Sequence, residues 1–124
     1  MKNIVWKQFI ENERKKYKRI GKVTCPAFQG ENVYFNHHGF YHLIYKLGVP
    51  RVKTEVIERF NLLHYVPNLL LTLKTVESEE KRVKNNNHAY FWTIKGMVEG
   101  KKIRIILRRL GDNGSLHFFS IMDE

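Results

Sequence analysis

Residues 101–122 read KKIRIILRRLGDNGSLHFFSIM and carry the strongest strand signal in the chain. Isoleucine, leucine and phenylalanine are concentrated in two runs, residues 101–110 and residues 115–122. Between them, Asp112-Asn113-Gly114 has the composition of a tight turn. The two runs therefore predict an antiparallel β-hairpin.

The first strand of this hairpin has one apolar and one cationic face. The apolar face carries Ile103, Ile105 and Leu107. The opposite face carries Lys102, Arg104, Ile106 and Arg108. Because successive side chains of a strand point to opposite sides, we expect the first set in the core and the second set outside it.

The turn predicts a register in which Arg108 lies opposite Phe118 and Ile106 lies opposite Ser120. That register brings a hydroxyl group and an aromatic ring to the cationic face, whereas a shift of one residue would bring His117 there. Arginine binds phosphate bidentately and aromatic rings stack on exposed bases, so the face suits RNA. Arginines on the open face of an antiparallel sheet are also commonly just solvated.

Two more strand-like segments precede the hairpin, residues 75–83 and residues 88–98. Glu99-Gly100 supplies the turn that leads into the hairpin. Residues 74–122 therefore predict a four-stranded antiparallel β-meander.

Helical periodicity dominates the chain before residue 74. Residues 1–24 form a basic amphipathic segment with eight basic and two acidic residues, predicted as a helix that ends at Gly21. Residues 33–73 are mainly helical. Their predicted elements are a short strand at 33–35 and helices over 39–47, from 54 to before Pro67, and 67–73.

Helices before strands, without alternation of the two, predict the α+β class. The expected architecture is a set of N-terminal helices packed on a C-terminal four-stranded antiparallel β-meander. A chain of 124 residues suffices for one core, so we expect residues 1–124 to form a single domain.

The balance of 22 Lys and Arg against 12 Asp and Glu gives a net charge of +10, which favours an anionic partner such as RNA. Cys25 is the single cysteine and has no neighbouring base, so it predicts an inert thiol and no disulfide. No apolar run is long enough to cross a bilayer, and a cytoplasmic protein without a membrane partner is expected.

Three histidines surround the start of the second helix, His37, His38 and His42. His38 and His42 are one helical turn apart, a spacing that can bind zinc. No acidic or cysteine side chain accompanies them in this stretch, so we predict no metal and no cofactor. An imidazole beside cations is suited to proton transfer, although a histidine here can also simply cap or pack.

Arg59 lies on the same predicted helix as Glu55, four residues earlier. It can clamp phosphate, or it can form an ion pair with Glu55, which is the preferred interpretation. Tyr90 and Trp92 share one strand face and are predicted as core aromatics.

Several short motifs together resemble one ribonuclease superfamily. They are Val33-Tyr34-Phe35-Asn36, Gly39-Phe40-Tyr41-His42-Leu43, Arg59, the strand Lys102 to Ile106, and His117 to Ile121. In these residues the chain resembles the barnase, EndoU, colicin and RelE superfamily, the BECR fold, and especially toxin-like members from phages and mobile elements.

The resemblance implies metal-independent cleavage of RNA, in which the ribose 2′-hydroxyl attacks the adjacent phosphate. It implies proton transfer by His42, phosphate stabilisation by Arg104, and phosphate or hydroxyl positioning by Ser120. RNA or phosphate binding is assigned to five further residues: Arg59, Arg108, His38, Phe118 and Lys102. A carboxylate base such as that of barnase has no clear counterpart, although Glu55, Glu58 and Glu99 are candidates.

Two other functions remain open from the sequence. The chain can be a non-catalytic RNA- or ribosome-binding module that uses the same basic face. Alternatively, an acidic antitoxin or immunity protein can bind the chain and compensate its positive charge. The toxin interpretation places its action in the cytoplasm, and delivery from another cell is a possible route to that compartment.

Overall fold

A computed structural model describes residues 3–73, 78–84 and 87–123 and has an α+β fold. Its helices are α1 (Asn3–Ile20), α2 (His37–Ile44), α3 (Lys53–Leu63) and α4 (Val66–Thr72). Its strands are β1 (Lys22–Cys25), β2 (Glu31–Tyr34), β3 (Tyr45–Lys46), β4 (Val49–Pro50), β5 (Ser78–Lys84), β6 (Asn87–Val98), β7 (Lys101–Leu110) and β8 (His117–Asp123). Within these residues, none of the helices has the length and apolar character needed to span a membrane.

The main sheet has six strands in the order β1-β2-β8-β7-β6-β5. The predicted meander forms its β8-β7-β6-β5 part, with residues 74–77 outside the described residues. The prediction of a four-stranded, purely antiparallel sheet is wrong, because the β1-β2 hairpin extends it and β2 pairs with β8 in parallel, Tyr34 opposite His117. The predicted absence of alternation is also wrong, because strands and helices alternate in the first half of the chain.

Helix α1 ends as predicted, because Gly21 adopts a positive φ of 64°. The next predicted helix, over residues 39–47, is partly wrong. It ends at Ile44, and the chain turns back as the small hairpin β3-β4. Leu47, the last residue of that predicted helix, lies in the turn with a φ of 51° and is 91% exposed.

The core lies between the helices and one face of the main sheet. Fully buried sheet residues include Ile103, Ile105, Leu107, Phe118 and Ile121. Helices α2, α3 and α4 contribute Leu43, Phe60 and Leu70. Helix α1 joins this core through Tyr17, whose ring packs against Phe35, Phe40 and Phe118.

The predicted register of the hairpin is partly wrong, because β8 contains a β-bulge. Ile106 lies opposite Ser120 as predicted, but Arg108 lies opposite His117 and not Phe118. Phe119 is the extra residue, and it shifts the residues before it by one position. Phe118 consequently pairs with Leu107 on the core face, where its ring stacks on Phe35 and is fully buried. It therefore cannot stack on a base.

Candidate functional site

A cleft of about 430 Å³ lies on the sheet face opposite the core. Its floor consists of sheet residues, namely Phe91, Thr93, Ile106, Phe119, Ser120 and Met122. One wall is built by α2 and the segment that follows it, namely His42, Lys46, Leu47 and Arg51. The bulge explains why the consecutive residues Phe119 and Ser120 both reach the cleft, since it interrupts the alternation of the strand.

The far rim of the cleft is formed by β5, which contributes Glu80 and Arg82. The Nε atom of Arg82 donates to a carboxylate oxygen of Glu80 at 2.8 Å. The Arg82 guanidinium lies 4.3 Å above the ring of Phe91. The ion pair lowers the pKa of Glu80, so this carboxylate is ionised and a weak base near neutral pH. Cationic and aromatic groups thus adjoin one another, an arrangement that suits single-stranded nucleic acid.

His42 is the cleft residue best suited to proton transfer. Its ring is half-buried and its centroid lies 4.0 Å from that of Phe119. Burial lowers its pKa below the ordinary value, and neighbouring cations lower it further. The largest cationic contribution comes from Arg108, followed by Arg51 and Arg59. His42 is therefore neutral near pH 7, which is the form that accepts a proton.

Arg59 forms an ion pair with Glu55, which is the interpretation that the sequence favours over a phosphate clamp. Its Nη2 atom lies 3.2 Å from the Glu55 carboxylate, and its Nη1 atom donates to the carbonyl oxygen of Ile121. Nη1 also donates to the Ser120 hydroxyl oxygen at 3.4 Å. Arg51 shares the same carboxylate at 2.9 Å and donates to the His42 carbonyl oxygen. This cluster fixes α3 against β8 and the wall of the cleft.

Ser120 is buried within this cluster, although it contributes to the floor of the cleft. His42 and Ser120 therefore share one cleft. Arg104 lies opposite Met122, a floor residue, on the same face of the sheet. Lys102 is exposed further along that face, opposite Met97. Arg104 thus shares the sheet face of the cleft, but it is not one of the residues that line the cleft.

Arg108 does not line the cleft itself, but it adjoins the floor residue Phe119. Its guanidinium is 4.5 Å from the ring centroid of Phe119. Its Nε atom donates to Nε2 of His117 at 2.9 Å, and burial lowers the pKa of Arg108. His38 is exposed on α2, its ring 4.1 Å from that of His37 and 5.9 Å from that of His117. Partial desolvation lowers the pKa of His38 most, and the neighbouring His37 and Arg108 lower it further.

Sequence reasoning missed several cleft residues, Lys46, Arg51, Arg82, Phe91 and Phe119. Phe91 could have been found, because Tyr90 and Trp92 were placed on the core side and Phe91 alternates with both. The contributions of Lys46 and Arg51 depend on the hairpin β3-β4, whose first strand lies within the predicted helix. Comparison of the chain with protein-family models, curated proteins and solved structures gave no match.

Proposed function

We propose that this protein is a metal-independent endoribonuclease that holds single-stranded RNA in the cleft. The observation that carries the proposal is the position of the half-buried His42 ring in a cleft that has basic side chains on its wall and rim and aromatic rings on its floor. Lys46 on the wall and Arg108 over Phe119 fit the phosphates, and the rings of Phe91 and Phe119 fit unstacked bases. The net charge of +10 favours the same class of partner.

In this proposal, His42 takes the proton of a ribose 2′-hydroxyl while the 2′-oxygen attacks the adjacent phosphorus. The bond between phosphorus and the 5′-oxygen breaks, and that oxygen takes up a proton from solvent. The products are a 2′,3′-cyclic phosphate and a free 5′-hydroxyl. Arg104 and Arg108 stabilise the charge that develops on the phosphorane, because preorganised cations act most strongly on a transition state.

Cleavage of a single-stranded RNA oligonucleotide in the presence of a chelator tests the proposal. We expect cleavage to persist with chelator and to fall about a hundred-fold or more in His42→Ala, the usual size of a general-base effect. Arg104→Ala should also be impaired, and mass spectrometry should find the cyclic phosphate. His64→Ala is the matched control, because His64 is exposed and lies outside the cleft.

Undiminished cleavage by both His42→Ala and Arg104→Ala would remove the assignment. Salt-sensitive RNA binding without cleavage at any pH would instead select a non-catalytic RNA- or ribosome-binding module. Tight binding to an acidic protein, without affinity for RNA, would indicate that an antitoxin- or immunity-type protein compensates the positive charge.

A further inference from the structure

Arg108 differs from most other arginines of the structure in the group that holds it. Several arginines pair with a glutamate: Arg14 with Glu11, Arg51 and Arg59 with Glu55, Arg82 with Glu80, and Arg109 with Glu31. Among residues 3–73, 78–84 and 87–123, no ion pair includes Arg108. Its positive charge is therefore not compensated by a neighbouring carboxylate in the described structure.

The partner of Arg108 is the uncharged side chain of His117. Arginine Nε is always a donor, so Nε2 of His117 must accept the hydrogen bond of 2.9 Å. The proton of the neutral imidazole is then on Nδ1, which donates to the Ser115 carbonyl oxygen at 3.2 Å. Both bonds are satisfied by one tautomer only, so the backbone at Ser115 fixes the imidazole and the imidazole fixes the guanidinium.

His117 is suited to remain neutral. It is 3% exposed, and burial lowers its pKa to about 4. The hydrogen bond to Ser115 acts in the opposite direction, and the charges of Arg108, His38 and His37 lower the pKa further. Protonation would remove the acceptor of Arg108 and place two cations in contact.

The guanidinium retains unused hydrogen-bonding capacity. Its Nη2 atom is buried and finds no acceptor in the described part of the chain. Such an atom is costly, because it has lost its hydrogen bond to water without gaining another. The guanidinium as a whole is half-buried and lies over Phe119, a floor residue of the cleft. An anionic oxygen that entered there would supply the missing acceptor.

We infer that His117 is a positioning residue that holds Arg108 over Phe119 without neutralising it, so that the guanidinium can bind a phosphate of the RNA. This inference rests on the proposed function for the identity of the anion. A carboxylate at position 117 would hold the guanidinium as well but would compensate its charge. A histidine at position 117 therefore orients the Arg108 guanidinium without neutralising its charge.

The first test needs no RNA. In wild-type protein, the Nε–H of Arg108 should give a resolved, slowly exchanging resonance in 15N NMR spectra, since it is bonded to a buried acceptor. The resonance should disappear in His117→Leu and be retained in His117→Gln, whose amide oxygen can accept. His64→Leu serves as the control. If the resonance persisted in His117→Leu, the proposed hydrogen bond would be overturned.

The second test measures binding of a 2′-O-methyl RNA oligonucleotide, which lacks the attacking hydroxyl. We expect His117→Leu to bind about ten-fold more weakly, the scale of one hydrogen bond to a charged group, and His117→Gln to bind nearly as wild type. His117→Asp should also bind weakly although it folds. Its slope of log K against log salt should be shallower by about 0.7, the contribution of one phosphate contact.

Wild-type affinity in His117→Asp would overturn the inference, because a purely structural role would be satisfied by the new ion pair. Wild-type affinity in a folded His117→Leu would do the same. If wild-type protein binds no RNA, the proposed function fails by itself. Titration with inorganic phosphate then decides the inference, which requires a shift of the Arg108 resonance in wild type and none in His117→Asp.

Discussion

At the scale of single residues, the cleft combines groups whose charge states differ because their surroundings differ. Arg51 and Arg59 share the Glu55 carboxylate and are structural cations. Arg108 is held by a neutral group and keeps its charge for a ligand. His42 is half-buried among these three arginines, so the neutral form of its ring is favoured. A neutral base near an uncompensated cation suits the proposed cleavage of a phosphodiester by a 2′-hydroxyl.

The pH dependence of RNA cleavage should report the pKa of His42. A base acts only when deprotonated, so kcat/KM should fall as the pH falls through that pKa. Because burial and the neighbouring arginines lower the pKa, the midpoint should lie below pH 6.5, the ordinary value. Initial rates between pH 4.5 and 8 measure it, and His64→Ala should retain the same acid limb. A midpoint above pH 6.5, or an acid limb that persists in the residual activity of His42→Ala, would contradict the assignment.

At the scale of elements, the position of His42 depends on how closely α2 approaches β8. Gly39 makes this approach possible, because a Cβ there would overlap the Phe118 carbonyl oxygen and come within 2.5 Å of the Tyr17 hydroxyl. The Tyr17 hydroxyl also donates to the Asn36 carbonyl oxygen at 2.7 Å, and the Asn36 side chain caps α2. Helices α1 and α2 and strand β8 therefore meet at one glycine.

Gly39→Ala should destabilise the fold by about 2 kcal/mol, the usual size of overpacking in a core. In an open helix the same change would stabilise by about 1 kcal/mol, so the sign of the effect is diagnostic. Urea unfolding measures it. Gly96→Ala is the control, since a Cβ there would meet only the flexible side chain of Leu69, at 3.3 Å. An equal or smaller loss in Gly39→Ala than in the control would show that the close approach is not essential.

The elements also show what local sequence can predict. Helix α1 and strands β6 and β7 were predicted nearly to the residue, because their periodicity is long and a glycine ends α1. The bulge at Phe119 was not predictable, because two adjacent phenylalanines fit the core equally well in either register. The hairpin β3-β4 was missed for a related reason. Leu47 follows Leu43 at a helical spacing, and only the tertiary structure shows that it lies in a turn.

The candidate site was predictable to the same limited degree. His42 and Ser120 were identified from residue type and resemblance, and the pairing of Ile106 with Ser120 correctly placed Ser120 on the cationic face. The partner of Arg108 depends on the bulge. The sequence therefore indicated His117 on the cationic face only in the alternative register, shifted by one residue. Contacts between distant segments, such as Arg59 with Ser120, have no local signal in the sequence.

At the scale of the whole molecule, the described residues place positive charge on at least two separate surfaces. One is the cleft. The other is the outer face of α1, where Lys7, Lys15 and Lys18 are exposed and their spacing places them on one side of the helix. Helix α1 packs through Tyr17 on the core side of Phe118, whereas the cleft is on the other face of the sheet. A short RNA in the cleft should therefore not reach α1, and a long one can.

Charge reversal on α1 should separate these two surfaces. In the triple variant Lys7→Glu, Lys15→Glu and Lys18→Glu, affinity for a 2′-O-methyl hexanucleotide should change less than about two-fold at 0.15 M salt, where charges are screened beyond about 8 Å. Affinity for a folded RNA of about 30 nucleotides should fall about ten-fold or more, because several phosphate contacts are lost. Arg108→Gln should weaken both complexes, since the cleft is used in each. Fluorescence anisotropy with the two RNAs measures all three proteins. If the triple variant weakened the hexanucleotide as much as the long RNA, the α1 face and not the cleft would be the primary binding surface.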